Sequence, residues 1–158
     1  RGLGDVYKRQ VLGVYEKELV RPMADVMKNL GVKRALIVYG DDGLDEISIS
    51  STTSVCEIDG DEIKGYTINP EELGLTLAKK EDIVGGTADE NAIITKDILT
   101  GKEQGAKRDI VLLNAGAALY TIRKAETIKD GVKLAAEMID SGKANEKLEQ
   151  FIAYTNVK

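Results

Sequence analysis

Four carboxylates fall within six residues, at Asp41, Asp42, Asp45 and Glu46. They follow an apolar run, Ala35-Leu36-Ile37-Val38-Tyr39, and Gly40 and Gly43 punctuate them. Such a run predicts a buried strand, and the turn at its end carries the acids to a sheet edge, where open α/β proteins place their ligands. Hard oxygen donors gathered this way suit a divalent cation. Magnesium favours one or two carboxylates completed by phosphate oxygens and water, so the adjacent pair Asp45 and Glu46 fits a metal–phosphate site better than an all-protein cage. On extended backbone the two side chains diverge, which lets them serve two ions or bridge them. The same residues admit a plainer role, with Asp41, Asp42 and Asp45 as turn formers and Glu46 as the solvated start of a strand.

Other candidates offer less. Gly40-Asp41-Asp42-Gly43 lacks the lysine of a P-loop and the third glycine of a dinucleotide fingerprint. Cys56, among strand residues, reads as a small core residue. Lys143 and Lys147 near a helix start read as a solvated face. Asn91 either presents its amide to a cleft or belongs with Glu90 to a helix cap. Asn114 lies on an apolar helix and must find partners, as a core amide tying a neighbouring loop would. The chain has no histidine and no tryptophan. Its chemistry must therefore rest on carboxylates, lysines, amides and backbone, and no catalytic acid–base residue is singled out.

The elements that position these groups follow from periodicity. Leu19, Met23, Val26, Met27 and Leu30 share a helical face over 16–30, Gly31 stops it, and a strand follows over 32–39. Two β-rich runs, 47–58 and 62–68, flank Asp59-Gly60-Asp61 as a hairpin. Asn69 caps a single turn opened by Pro70. Helices are expected over 87–100, 108–122, 127–141 and 144–156, with Thr87 and Glu90 spaced as a capping box. The 108–120 stretch is apolar nearly all round and predicts a buried central helix, with Ala115, Gly116 and Ala117 permitting close helix contact. This order defines an α/β architecture.

Composition sets the outer limits. The 158 residues, 42% hydrophobic and 31% charged, suffice for one domain or a piece of a larger one. No apolar run approaches the roughly 20 residues that span a bilayer. A single cysteine points to a reducing, cytoplasmic setting, and a net charge of −5 argues against nucleic acid as partner. Residues 1–10 carry no hydrophobic period, and 5–10 read as a translated sequencing adapter. That segment is set aside as non-native, leaving 11–158 as one domain from a chain that begins upstream.

Seven ordered blocks carry a resemblance. They are Gly40 through Ser48, Pro70-Glu-Glu-Leu-Gly74, Gly85 through Ala92, Ile98-Leu-Thr-Gly101, Arg108 through Ala115, Gly131-Val-Lys-Leu-Ala135 and Ile139 through Ala144. In this order they resemble the C-terminal half of the anthranilate phosphoribosyltransferase family. The resemblance implies the incomplete α/β domain of a nucleoside phosphorylase/phosphoribosyltransferase-like fold, a central sheet with surrounding helices. It implies transfer of phosphoribosyl from phosphoribosyl pyrophosphate (PRPP) to anthranilate in tryptophan biosynthesis, with release of pyrophosphate. Two Mg2+ ions would assist, and the family's Asp-Glu pair falls on Asp45 and Glu46. It further implies a homodimer formed through an N-terminal helical domain. The family's pyrophosphate loop and anthranilate-contacting segments precede this stretch, so the polypeptide as given is expected to be inactive. Two alternatives stay open: a pyrimidine-nucleoside phosphorylase relative, and a non-enzymatic binding protein that has kept the fold.

Overall fold

The computed structural model describes residues 8–156, so most of the set-aside segment lies outside the described residues. The first element, β1 (Arg9–Gly13), runs parallel to β2 (Arg34–Gly40). Between them come a 3-10 turn (Lys17–Leu19) and α1 (Val20–Asn29). β1 takes in Arg9 and Gln10, two residues before the expected boundary at Val11, and pairs them with Arg34 and Ala35. Backbone pairing makes little demand on side chains, so the ladder extends through both residues.

The sheet continues antiparallel through β3 (Thr53–Asp59) and β4 (Glu62–Ile68), in the order β1-β2-β3-β4. Gly60, at φ 62°, makes the hairpin turn that Asp59-Gly60 announced. Asn69 caps the Pro70–Leu73 turn by accepting from the Glu71 amide at 3.2 Å. A second 3-10 turn, Lys80–Ile83, leads to α2 (Ala88–Leu99), whose start carries the Thr87–Glu90 capping box. Three further helices follow: α3 (Ala106–Thr121), α4 (Ile128–Asp140) and α5 (Lys143–Thr155).

Alternation along β2 divides the apolar residues between two layers. Ala35 and Ile37 join Cys56 and Ile58 under α1, while Leu36 and Val38 face Val55, Ile68 and the α3–α4 pair. Helices thus cover both faces of the sheet. Cys56 is a free, buried core thiol, as its setting suggested.

The α3–α4 crossing is a backbone contact. A Cβ placed on Gly131 would lie 2.2 Å from the Gly116 carbonyl oxygen, and one on Gly116 would lie 2.5 Å from the Val132 nitrogen. Gly116 was expected to permit such an approach, and Gly131 supplies the other half. Burial of α3 is narrower than its composition implied. Leu112, Leu113, Gly116 and Ala117 are buried, but Val111 and Ile122 reach solvent, because α4 and the sheet cover only one side.

The expected first hairpin strand also starts later, at Thr53 rather than residue 47. Ile47 and Ile49 are fully buried, which produced the strand-like alternation. Their backbone groups pair elsewhere: Ile47 with the Asn114 side chain, and the Ile49 carbonyl with the Ala78 amide at 3.1 Å.

Candidate metal site

β2 ends at Gly40, and the chain turns at once. The Gly40 amide donates to the Leu44 carbonyl and the Gly43 amide to the Gly40 carbonyl, both at 2.8 Å, with Gly43 at φ 94°. Only a residue without a side chain takes that conformation freely. The turn carries its four acids in two different states.

Asp41 is tied outward. It accepts from Thr52 Oγ1 at 2.7 Å, from Ser54 Oγ at 2.9 Å and from Lys17 Nζ at 2.8 Å. Asp42 is tied inward through one oxygen: Oδ2 accepts from Ser48 Oγ at 2.9 Å and closely from Ser50 Oγ, Oδ1 is buried and accepts from no partner among the described residues, and Lys80 Nζ donates to the Asp42 carbonyl at 2.8 Å. Burial alone would raise the pKa of both acids. The hydroxyl and lysine donors together outweigh it and hold both below the usual carboxylate range.

Asp45 and Glu46 are the other state. Among the described residues neither side chain makes a hydrogen bond or an ion pair, and both are exposed. Partial desolvation of the Glu46 carboxylate, reinforced by the charges of Asp45 and then Asp42, pushes its pKa up. Uncompensated negative charge of this kind is what a cation relieves. No group of three or more acidic, cysteine or histidine side chains placed to hold a metal occurs among the described residues. Two carboxylates alone would supply only part of a magnesium coordination shell, the rest coming from phosphate oxygens and water.

The position of the pair is set from outside the turn. Asn114 on α3 receives the Ile47 amide at 3.0 Å and donates to the Ile47 carbonyl at 2.9 Å and the Ile110 carbonyl at 3.0 Å. It is the amide tie its sequence context demanded. Replacing it with alanine strands both backbone groups of the residue next to Glu46. That costs about 1–3 kcal/mol, a fall of several degrees in a thermal melt of the chain; an unchanged melt would mean that the two groups find other partners.

The remaining sequence candidates lie elsewhere. Asn91 donates to the Gly86 carbonyl at 3.0 Å and accepts from the Gly86 amide at 2.8 Å, closing the Gly85-Gly86 turn at the head of α2. Lys143 and Lys147 are exposed on α5, with Lys147 bonded to Gln150 at 2.7 Å. Sequence reasoning missed the hydroxyl ties. Their signal was the run from Ser48 to Ser54, read there only as β-forming.

An acid-bearing turn at the end of a buried strand, in a sheet covered by helices on both faces, is where open α/β folds place their ligands. The family model described as "Glycosyl transferase family, a/b domain" matches residues 5–145, and the chain belongs to that family. Its relatives sharpen the assignment. The anthranilate phosphoribosyltransferase of Methanobrevibacter smithii is 57% identical over 147 residues, 93% of this chain and 44% of that protein. That of Desulfosudis oleivorans is 51% identical over 92% of this chain and 43% of its own length. Among solved structures, anthranilate phosphoribosyltransferase from Thermus thermophilus superposes with a TM-score of 0.84 at 38% identity, covering 92% of this chain and 42% of that one. The Saccharomyces cerevisiae enzyme in complex with PRPP and Mg gives 0.83 at 31% identity, with the same coverage. The resemblance carried by the seven sequence blocks is borne out. The chain spans less than half the length of these relatives.

Proposed function

We propose that this chain is the magnesium-holding part of an enzyme that transfers phosphoribosyl from PRPP to anthranilate and releases pyrophosphate. The supporting observation is the free Asp45–Glu46 pair, beside two acids already tied, in a chain 57% identical to an anthranilate phosphoribosyltransferase. Bound Mg2+, two ions on this reading, neutralises charge gathering on the departing pyrophosphate oxygens. Asp45 and Glu46 hold the metal from the protein side, and the Asn114 tie to the backbone of Ile47 keeps the turn in place. Little proton transfer is asked of the protein, in keeping with a segment without histidine. A homodimer built through a helical domain and a cytoplasmic location belong to the same reading. So does the absence of membrane partners, and no helix among the described residues is long and apolar enough to cross a bilayer.

A hybrid tests the proposal: the matching segment of the Methanobrevibacter smithii enzyme is replaced by this chain. The hybrid is expected to turn over anthranilate and PRPP with Mg2+, and the 158-residue chain alone is not. In the hybrid, Asp45→Asn or Glu46→Gln is expected to raise the Mg2+ needed for half-maximal rate by about tenfold or more, with the melting temperature of the metal-free protein unchanged. An inactive but folded hybrid would refute the transferase reading. Unaltered metal dependence in both variants would refute the metal assignment.

A further inference from the structure

We infer that Asp42 is a positioning residue for the metal pair, acting through a hydroxyl clasp that closes the turn around Asp45 and Glu46. The inference rests on the reading that Asp45 and Glu46 hold a divalent cation.

The clasp is a ring. Ser48 donates to Asp42 Oδ2 across the five intervening residues, and Asp45 and Glu46 lie inside that interval. Ser48 is itself fully buried, and its amide donates to Thr53 Oγ1 at 3.0 Å, so the hydroxyl is held by the start of β3. Ser50 adds a second donor to the same oxygen and donates its amide to Ser48 Oγ at 3.0 Å. Gly40 leaves the space that the ring closes over: a Cβ there would meet Asp42 Oδ1 at 2.8 Å and Ser48 Cβ at 3.1 Å. Lys80 fixes the far side through the Asp42 carbonyl.

Asp41 makes an instructive contrast. Its partners Thr52, Ser54 and Lys17 lie outside the ring, so its ties anchor the turn to β3 without bracketing the pair. Neighbouring acids of one type thus have separable jobs. Groups that orient metal-holding side chains without touching the ion are commonly worth 10- to 100-fold in metal affinity.

The test is Mn2+ binding to the hybrid enzyme in the presence of PRPP and the absence of anthranilate, followed by electron paramagnetic resonance, beside a thermal melt of each variant. Asp42→Ala and Ser48→Ala are expected to weaken Mn2+ binding by about tenfold or more. Asp42→Asn keeps an oxygen that accepts from both serines, and is expected to bind like the parent. Ser54→Ala, which removes a tie of Asp41, is expected to leave binding unchanged. At saturating metal the Ser48→Ala enzyme should recover its kcat, because only the affinity is set by the clasp. Should Asp42→Ala fail to fold, Ser48→Ala carries the comparison.

Two results would overturn the inference: parent-like Mn2+ binding in Ser48→Ala, or Asp42→Asn weakened as much as Asp42→Ala. The second would make Asp42 a charge contributor or ligand. Asp45→Asn serves as the reference. If it leaves Mn2+ binding unchanged, the metal reading itself fails, whatever the clasp variants do.

Discussion

Replacing Gly13 with alanine is expected to disable the hybrid enzyme at the proposed metal site, although Gly13 carries no chemistry of its own. A Cβ at this position would lie 1.6 Å from the Asp45 carbonyl oxygen and 2.5 Å from its carbon. Both are backbone atoms, so no rotamer change relieves the overlap. Either the end of β1 or the acidic turn must move by more than an ångström. Misplacement on that scale costs about 100-fold in rate where geometry matters. The forced shift also costs about 3 kcal/mol, the upper end for an overpacked site, which for a chain of this size lowers the melting temperature by roughly 10 °C. Turnover and melting are read in the same preparation. Parent-like values in both would show that the turn yields freely, and would remove the argument that β1 fixes the place of Asp45.

The second large effect is expected far from the acids. Gly131→Ala would ordinarily stabilise a helix, by about 1 kcal/mol from propensity. Here the sign reverses, because the added carbon meets the Gly116 carbonyl oxygen at 2.2 Å and the Gly116 Cα at 3.0 Å. Separating α3 from α4 loosens Leu112, Leu113 and Ala117 against Val132, Ala135 and Ile139, which share one core. A net loss of about 2–3 kcal/mol is expected, read by urea or thermal unfolding of the chain. Gly116→Ala should behave alike, and the double variant should fall short of the sum, since the two glycines make one contact. A stabilised Gly131→Ala variant would mean that the helices do not meet at backbone distance.

Much of the scaffold was readable because its signals are local. Thr87 with Glu90, Asn69 with Pro70, and Asp59 with Gly60 each state their element within four residues, and each element formed there. β1 was not anticipated. It is five residues long, only partly buried, and overlaps the segment set aside as foreign. Residues 47–52 misled in the opposite direction, since alternate burial of Ile47 and Ile49 mimics a strand while their backbone partners are a side chain and a loop. The acids themselves were visible from residue type and spacing. Their division into tied and free pairs was not, because the hydroxyls of Ser48, Ser50, Thr52 and Ser54 that make most of the ties sit in a run that reads as β-forming, and Lys17 reaches Asp41 from 24 residues away.

The suspension of the acidic turn has a consequence for how this site could arise or be copied. The stretch from Val38 to Ser54 contains every carboxylate and every hydroxyl of the turn. Its shape nonetheless depends on Gly13 of β1, Asn114 of α3 and Lys80 beyond β4. Cut out as a peptide, it would keep the composition and lose the cradle. On the proposed reading, cation affinity is a property of the folded domain, and by mass action an ion held by the pair would feed its binding energy back into the fold. Grafting the acids onto another strand end would therefore transplant the ligands without their address.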